Sequence, residues 1–168
     1  MEKGNRKLAL LGLFCAVAII FGYVETLIPV FAGIPGIKLG LANLSVLFIL
    51  MRYSLKEALI VSGVRIVVIG FLFGNMFSIT YGLPGAVFSL LIMAVLKRTG
   101  IFSIIGVSAA GGTAHNIAQT AVAFLIVKGF PVRWYLPLLM IAGLLAGTLI
   151  GFADSLIIPR ISPEAHAK

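Results

Sequence analysis

The 168-residue chain has one cysteine, one tryptophan, two histidines and only five acidic residues. A lone Cys15 excludes a disulfide framework. The carboxylates, Glu2, Glu25, Glu57, Asp154 and Glu164, are scattered, so neither a metal-ligand cluster nor a cofactor site is expected. The same scatter excludes paired Asp-rich motifs of the kind that clamp a diphosphate through Mg²⁺. No glycine-rich loop ends in Gly-Lys-Ser/Thr, which excludes a P-loop ATPase. Ser108, His115 and Asp154 supply the residue types of a hydrolytic triad. However, Asp154 belongs toward the end of its apolar run and His115 to the middle of another, so the geometry does not favour one.

Charge is scarce too. Charged residues make up 11% of the chain, against roughly 25% in a soluble domain. Hydrophobic residues make up 61% and the mean hydropathy is +1.17. The chain therefore reads as one all-α integral membrane domain over residues 1–168, multi-pass in a bacterial cytoplasmic membrane. Its net charge of +8 reflects basic loops rather than nucleic-acid binding.

Six apolar stretches are predicted to span: about Leu8–Val24, Leu41–Arg52, Ala58–Phe73, Ile79–Leu96, a fifth within Ile101–Val127, and Leu136–Ile158. The second is short for a crossing, so part of the glycine-punctuated segment Pro35–Leu44 is expected to enter the membrane with it. Pro84, between Gly82 and Gly85, is expected to kink or locally unwind the fourth. With six spans both ends share one side, which collects Lys3, Arg6, Lys7, Arg52, Lys56, Lys97, Arg98, Arg160 and Lys168. Only Lys38, Lys128 and Arg133 fall opposite. The positive-inside rule then puts both termini in the cytoplasm.

Polar residues inside these spans are the candidate site. His115, Asn116 and Gln119 share adjacent rows of one helix and would be costly against lipid. They read either as an interhelical hydrogen-bond cluster or as the wall of a ligand pocket. Arg65, near the middle of its span, needs compensation from Asp154, Glu25, backbone carbonyls or an anionic ligand. Lys38 either snorkels to the headgroups or joins Asn43 in contacting ligand. Small residues recur at helix-packing spacing. Gly143, Gly147 and Gly151 form a GxxxGxxxG ladder, and Gly12/Ala16 and Ala18/Gly22 form two pairs on the first span. Those pairs serve either internal packing or docking to a membrane partner.

The stretches PGIKLGLAN, GLPGAVFSLLIMAVLK, GVSAAGGTAHNIAQ and YLPLLMIAGLLAGTLIG, together with the Arg65-bearing span, resemble one family over nearly the whole chain. It is the heptaprenyl diphosphate synthase component I family, also called Gx transporter, which is similar to the substrate-binding S components of energy-coupling factor (ECF) transporters. That resemblance implies a six-helix bundle with a pocket toward the outer face. It also implies partnership with a coupling membrane protein and ATPases, docked through Gly12 and Ala16 on the first helix. The expected function is a non-enzymatic substrate-binding subunit for a small anionic or amphipathic metabolite, such as a vitamin, a flavin or an isoprenoid- or quinone-related compound. Lys38, Asn43, Arg65, His115, Asn116 and Gln119 would be its ligand contacts. The alternative is an accessory subunit of prenyl diphosphate or quinone metabolism, or of flavin-linked extracellular electron transfer. A third possibility is an assembly protein whose polar residues only pack.

Overall fold

The computed structural model describes residues 2–27, 39–126 and 132–161. They form six helices: α1 (Glu2–Leu27), α2 (Leu41–Arg52), α3 (Leu55–Phe73), α4 (Met76–Thr99), α5 (Ile104–Ile126) and α6 (Val132–Ile161). The expected Lys38 contact lies outside the described residues.

Local chemistry sets the helix ends. Ser54 caps α3, accepting from the Lys56 backbone N–H, while its hydroxyl also meets the Glu57 carboxylate. Asn75 and Ser78 form a reciprocal capping box at the start of α4. The Asn75 side chain accepts from Ser78 N at 2.8 Å, and Asn75 N donates to Ser78 Oγ at 3.2 Å. That box starts α4 at Met76, three residues before the expected Ile79, and reduces the loop expected there to Gly74 and Asn75. Gly100, in the left-handed region at φ 67°, stops α4. Pro84 does not unwind α4, which is helical throughout. Pro84 is exposed whereas Gly82 and Gly85 are buried, so the missing N–H falls on the outer face while the inner face stays packed.

In the bundle α1, α3, α4, α5 and α6 touch in that order, and α2 fills the gap between α6 and α1. α2 also packs on α3 and α4. Every residue from Ser45 to Leu50 is buried, which fits an apolar helix enclosed on all sides. At 12 residues α2 is only ~18 Å long, against a hydrocarbon core of ~30 Å.

The closest packing is between α5 and α6, where the glycine ladder brings backbone onto backbone. A Cβ on Gly112 would sit 2.2 Å from Gly143 O, and one on Gly147 would sit 2.5 Å from Ser108 O. A Cβ on Gly151 would sit 2.7 Å from Ile105 Cα. On α1 the two small-residue pairs divide. Ala18 and Gly22 are buried, with Gly22 against Ile69 of α3, whereas Gly12 and Ala16 are exposed.

Leu8, Phe71, Val95, Phe124, Leu145 and Leu149, on five different helices, are each more than half exposed. A continuous apolar coat of this kind belongs in lipid rather than water. Three helical segments, Gly4–Leu27, Met76–Thr99 and Trp134–Ile161, are long and apolar enough to cross a membrane. α3 carries Lys56, Glu57 and Arg65, α5 carries His115, Asn116 and Gln119, and α2 is short, so these three depend on the bundle around them.

The two ends of the bundle differ. At the end bearing the N-terminus, Lys7 pairs with Glu57, and Lys97 Nζ donates to the carbonyls of Leu50 (2.7 Å) and Met51 (3.1 Å). Lys97 thereby satisfies two carbonyls that the last turn of α2 leaves open. The other end contains a cavity.

Candidate ligand-binding cavity

The cavity has a volume of about 230 Å³ and is lined by all six helices. It draws on the C-terminal parts of α1 and α3, the first half of α2, α4 as far as Met93, and the middles of α5 and α6. The lining runs from Glu25, Phe73 and Ser78, at the end away from the N-terminus, past the middle of the bundle to Leu47, Met93 and Ser108. Five of the six expected contact residues line it: Asn43, Arg65, His115, Asn116 and Gln119.

Arg65 enters from α3. Its Nη2 donates to Asn43 Oδ1 on α2 at 2.9 Å. Its Nε–H is buried and has no partner among the described residues. A guanidinium offers five N–H donors in a fixed fork, and a buried one without an acceptor is costly. Asp154 does not provide that acceptor. It is fully buried on α6, outside the cavity, and neither of its carboxylate oxygens has a hydrogen-bond partner among the described residues. The Arg65–Asp154 ion pair considered from sequence does not form: among the described residues Lys7–Glu57 is the one ion pair.

The carboxylate that does reach the cavity is Glu25, near the end of α1. It accepts from the backbone N–H of Gly40, which precedes α2. Gly40 has φ 75°, a left-handed conformation that tolerates this turn because no Cβ is present. Sequence reasoning placed Glu25 only among the possible partners of Arg65. An acid near the end of an apolar run was its single signal, and such an acid ordinarily reads as a headgroup residue.

On the opposite wall, His115 and Gln119 lie over Gly85 of α4. A Cβ there would be 2.6 Å from Gln119 Cγ and 3.1 Å from His115 Cε1. The absence of a side chain on α4 is thus what admits these two polar groups. Asn116 has a different job. Its Nδ2 donates to Leu139 O of α6 at 2.6 Å, and it sits 2.8 Å from where a Gly143 Cβ would be. It ties α5 to α6 at their closest approach, so it serves packing as well as lining the cavity. Ser89 of α4 likewise bonds to Gly111 O at 2.8 Å. Apolar side chains, Ile66, Ile69, Leu90 and Ile150 among them, fill the remaining wall.

Residues 14–157 match the family model for heptaprenyl diphosphate synthase component I. The chain belongs to that family. No curated protein and no solved structure gives a match to it. The match runs from α1 to the last turns of α6 and takes in every described residue of the cavity.

Proposed function

We propose that this protein is the substrate-binding membrane subunit of an uptake system. In this reading it works as ECF S components do, capturing a small anionic or amphipathic metabolite without catalysing a reaction. The observation that carries the reading is the convergence of Arg65, Asn43, His115 and Gln119 on one cavity, with a buried Arg65 donor awaiting an acceptor. A carboxylate or phosphate is the natural acceptor for a guanidinium. The bundle sits in the membrane with both termini cytoplasmic, in accord with the basic asymmetry of the loops, and the short α2 is enclosed by the longer helices rather than spanning by itself. The cavity then reaches from the outer end past the middle of the bundle and receives its ligand from outside. The exposed Gly12/Ala16 face of α1 is the surface offered to a coupling membrane protein, with ATPases completing the transporter.

The test is native mass spectrometry of the purified protein. Wild type is expected to retain a small molecule that folded Arg65→Ala loses. An empty wild type, or an Arg65→Ala protein that keeps the molecule, sinks the reading. The family description favours a second reading, an accessory subunit that holds a prenyl diphosphate for a partner enzyme. Co-purification from native membranes with a soluble synthase, rather than with a coupling protein and ATPases, would support it.

A further inference from the structure

Two ionisable side chains of opposite sign face the same cavity without pairing with each other. Glu25 lines it from α1 and Arg65 from α3, yet their charged atoms form no ion pair. Each is held by a neutral partner instead, Glu25 by the Gly40 N–H and Arg65 by the Asn43 amide oxygen. Both holding contacts sit at the start of α2, so the two charges are fixed from one place and held beyond ion-pair contact.

This arrangement leaves capacity on both sides. A carboxylate has about four acceptor positions, and one backbone donor fills one of them. Arg65 retains its buried Nε–H, which has no acceptor among the described residues. Inside a bundle surrounded by hydrocarbon, the attraction between unit charges far exceeds its value in water. Two opposite charges would therefore close on each other unless their scaffolds prevented it or something stood between them.

A simple anion satisfies Arg65 but is repelled by Glu25, and a simple amine meets the reverse problem. A molecule with an acidic group and a cationic donor group satisfies both and brings no net charge into the membrane. The remaining walls suit the rest of such a molecule. Ile66, Ile69 and Leu90 present apolar surface, while His115 and Gln119 add directional hydrogen bonding across from the charged pair. Size narrows the class further. A cavity of about 230 Å³ falls below the ~300–1,000 Å³ usual for drug-sized ligands.

We propose that the ligand is a compact amphoteric metabolite. Its acidic group lies on Arg65, its cationic donor on Glu25, and its apolar body lies against α3 and α4. This rests on the reading of the cavity as a ligand site and specifies what that site selects.

The test uses three probes that share one apolar body: phenylalanine, 3-phenylpropanoate and phenethylamine. Each is titrated by calorimetry into full-length wild type, Glu25→Gln and Arg65→Gln in nanodiscs. Both variants keep a hydrogen-bonding side chain, and circular dichroism confirms their fold. Wild type is expected to bind phenylalanine at least about 10-fold more tightly than either single-charge probe, the loss that follows from leaving one charged hydrogen bond unmade. Glu25→Gln should erase the preference over 3-phenylpropanoate, and Arg65→Gln the preference over phenethylamine. If wild type binds 3-phenylpropanoate as tightly as phenylalanine, the amphoteric assignment is overturned while the anion reading of the cavity stands. An unchanged preference in Glu25→Gln overturns it as well. If no probe binds, the assignment falls, and the cavity reading is then judged separately by the molecule that wild type retains and Arg65→Ala loses.

Discussion

Arg65 of α3 and Asn43 of α2 are joined by a 2.9 Å hydrogen bond in which the guanidinium donates to the amide oxygen. Asn43 lies in the first turn of a helix that is buried almost throughout, so this bond fixes the guanidinium relative to the centre of the bundle. Replacing Asn43 with Leu removes the acceptor while roughly keeping the volume. The expected loss is about 1–3 kcal/mol, the cost of a buried donor left unpaired. Thermal unfolding in detergent measures it, and an unchanged midpoint would show that the bond is dispensable.

Asp154 is expected to behave independently of Arg65, because the two residues share no partner. Asp154→Leu removes a fully buried carboxyl without a partner among the described residues, and should be neutral or stabilising. Combined with Arg65→Met, the effects should add to within about 0.5 kcal/mol. A double mutant markedly more stable than that sum would mean that the two side chains compensate each other after all.

Gly112 and Gly12 make a matched contrast. A Cβ on Gly112 would collide with the Gly143 carbonyl at 2.2 Å, whereas one on Gly12 would meet nothing within 4 Å. Gly112→Ala should destabilise the protein by about 1–3 kcal/mol or more through overpacking. Gly12→Ala should leave the midpoint of the isolated protein unchanged, so that any effect on uptake reports a partner rather than the fold. Loss of stability in Gly12→Ala would place that face inside the bundle.

His115, Asn116 and Gln119 should separate by function despite sharing a helix. Asn116→Leu breaks the bond to Leu139 O and should lower the unfolding midpoint. Gln119→Leu should spare the midpoint and weaken binding of the co-purified molecule by about 1–3 kcal/mol. Calorimetry and unfolding on both variants decide it. Identical behaviour of the two would remove the distinction.

Glu57, at the head of α3 before the expected span, supplies a pH prediction. Hydrogen bonds from Lys7 and Ser54 hold its carboxyl at about 2, below its ordinary value of 4.5. A pKa depressed in the folded state adds stability above the unfolded value, and that stability is lost as the pH falls from about 4.5 towards 2. Wild type should therefore be more stable than Glu57→Gln at pH 6, and the gap should close on acidification. The gap is small and shrinks with salt, because Lys7 is half exposed. A gap that persisted at the acid end would assign the effect to packing.

The sequence revealed the kinds of residue that had to meet, but not all of their pairings. The glycine ladder of α6 was legible because close helix approach in lipid requires small residues at fixed spacing. The gathering of Arg65, Asn43, His115 and Gln119 was legible because each is expensive outside the bundle. Helix rotation was harder to read. In a lipid-facing bundle the inner and outer faces are both apolar, so hydrophobic periodicity says little about which way a helix turns. That is why Gly12/Ala16 and Ala18/Gly22 looked alike in sequence, and why Asp154 stood as a plausible partner for Arg65. The role of Glu25 depends on a backbone N–H at Gly40, fifteen residues away, and backbone donors leave no trace in a residue pattern.

The shortness of α2 bears on how the protein is assembled. A helix of 12 residues, buried on every side, cannot hold its place in a bilayer by its own hydrophobicity. It has to wait for companions during synthesis. Its neighbours α1 and α3 emerge directly before and after it, but α6 is made last. Because α6 closes both the side of α2 and the wall of the cavity, a nascent chain has no complete cavity until α6 arrives. The closed cavity is therefore a signature of finished biogenesis, and chains stalled before α6 lack it.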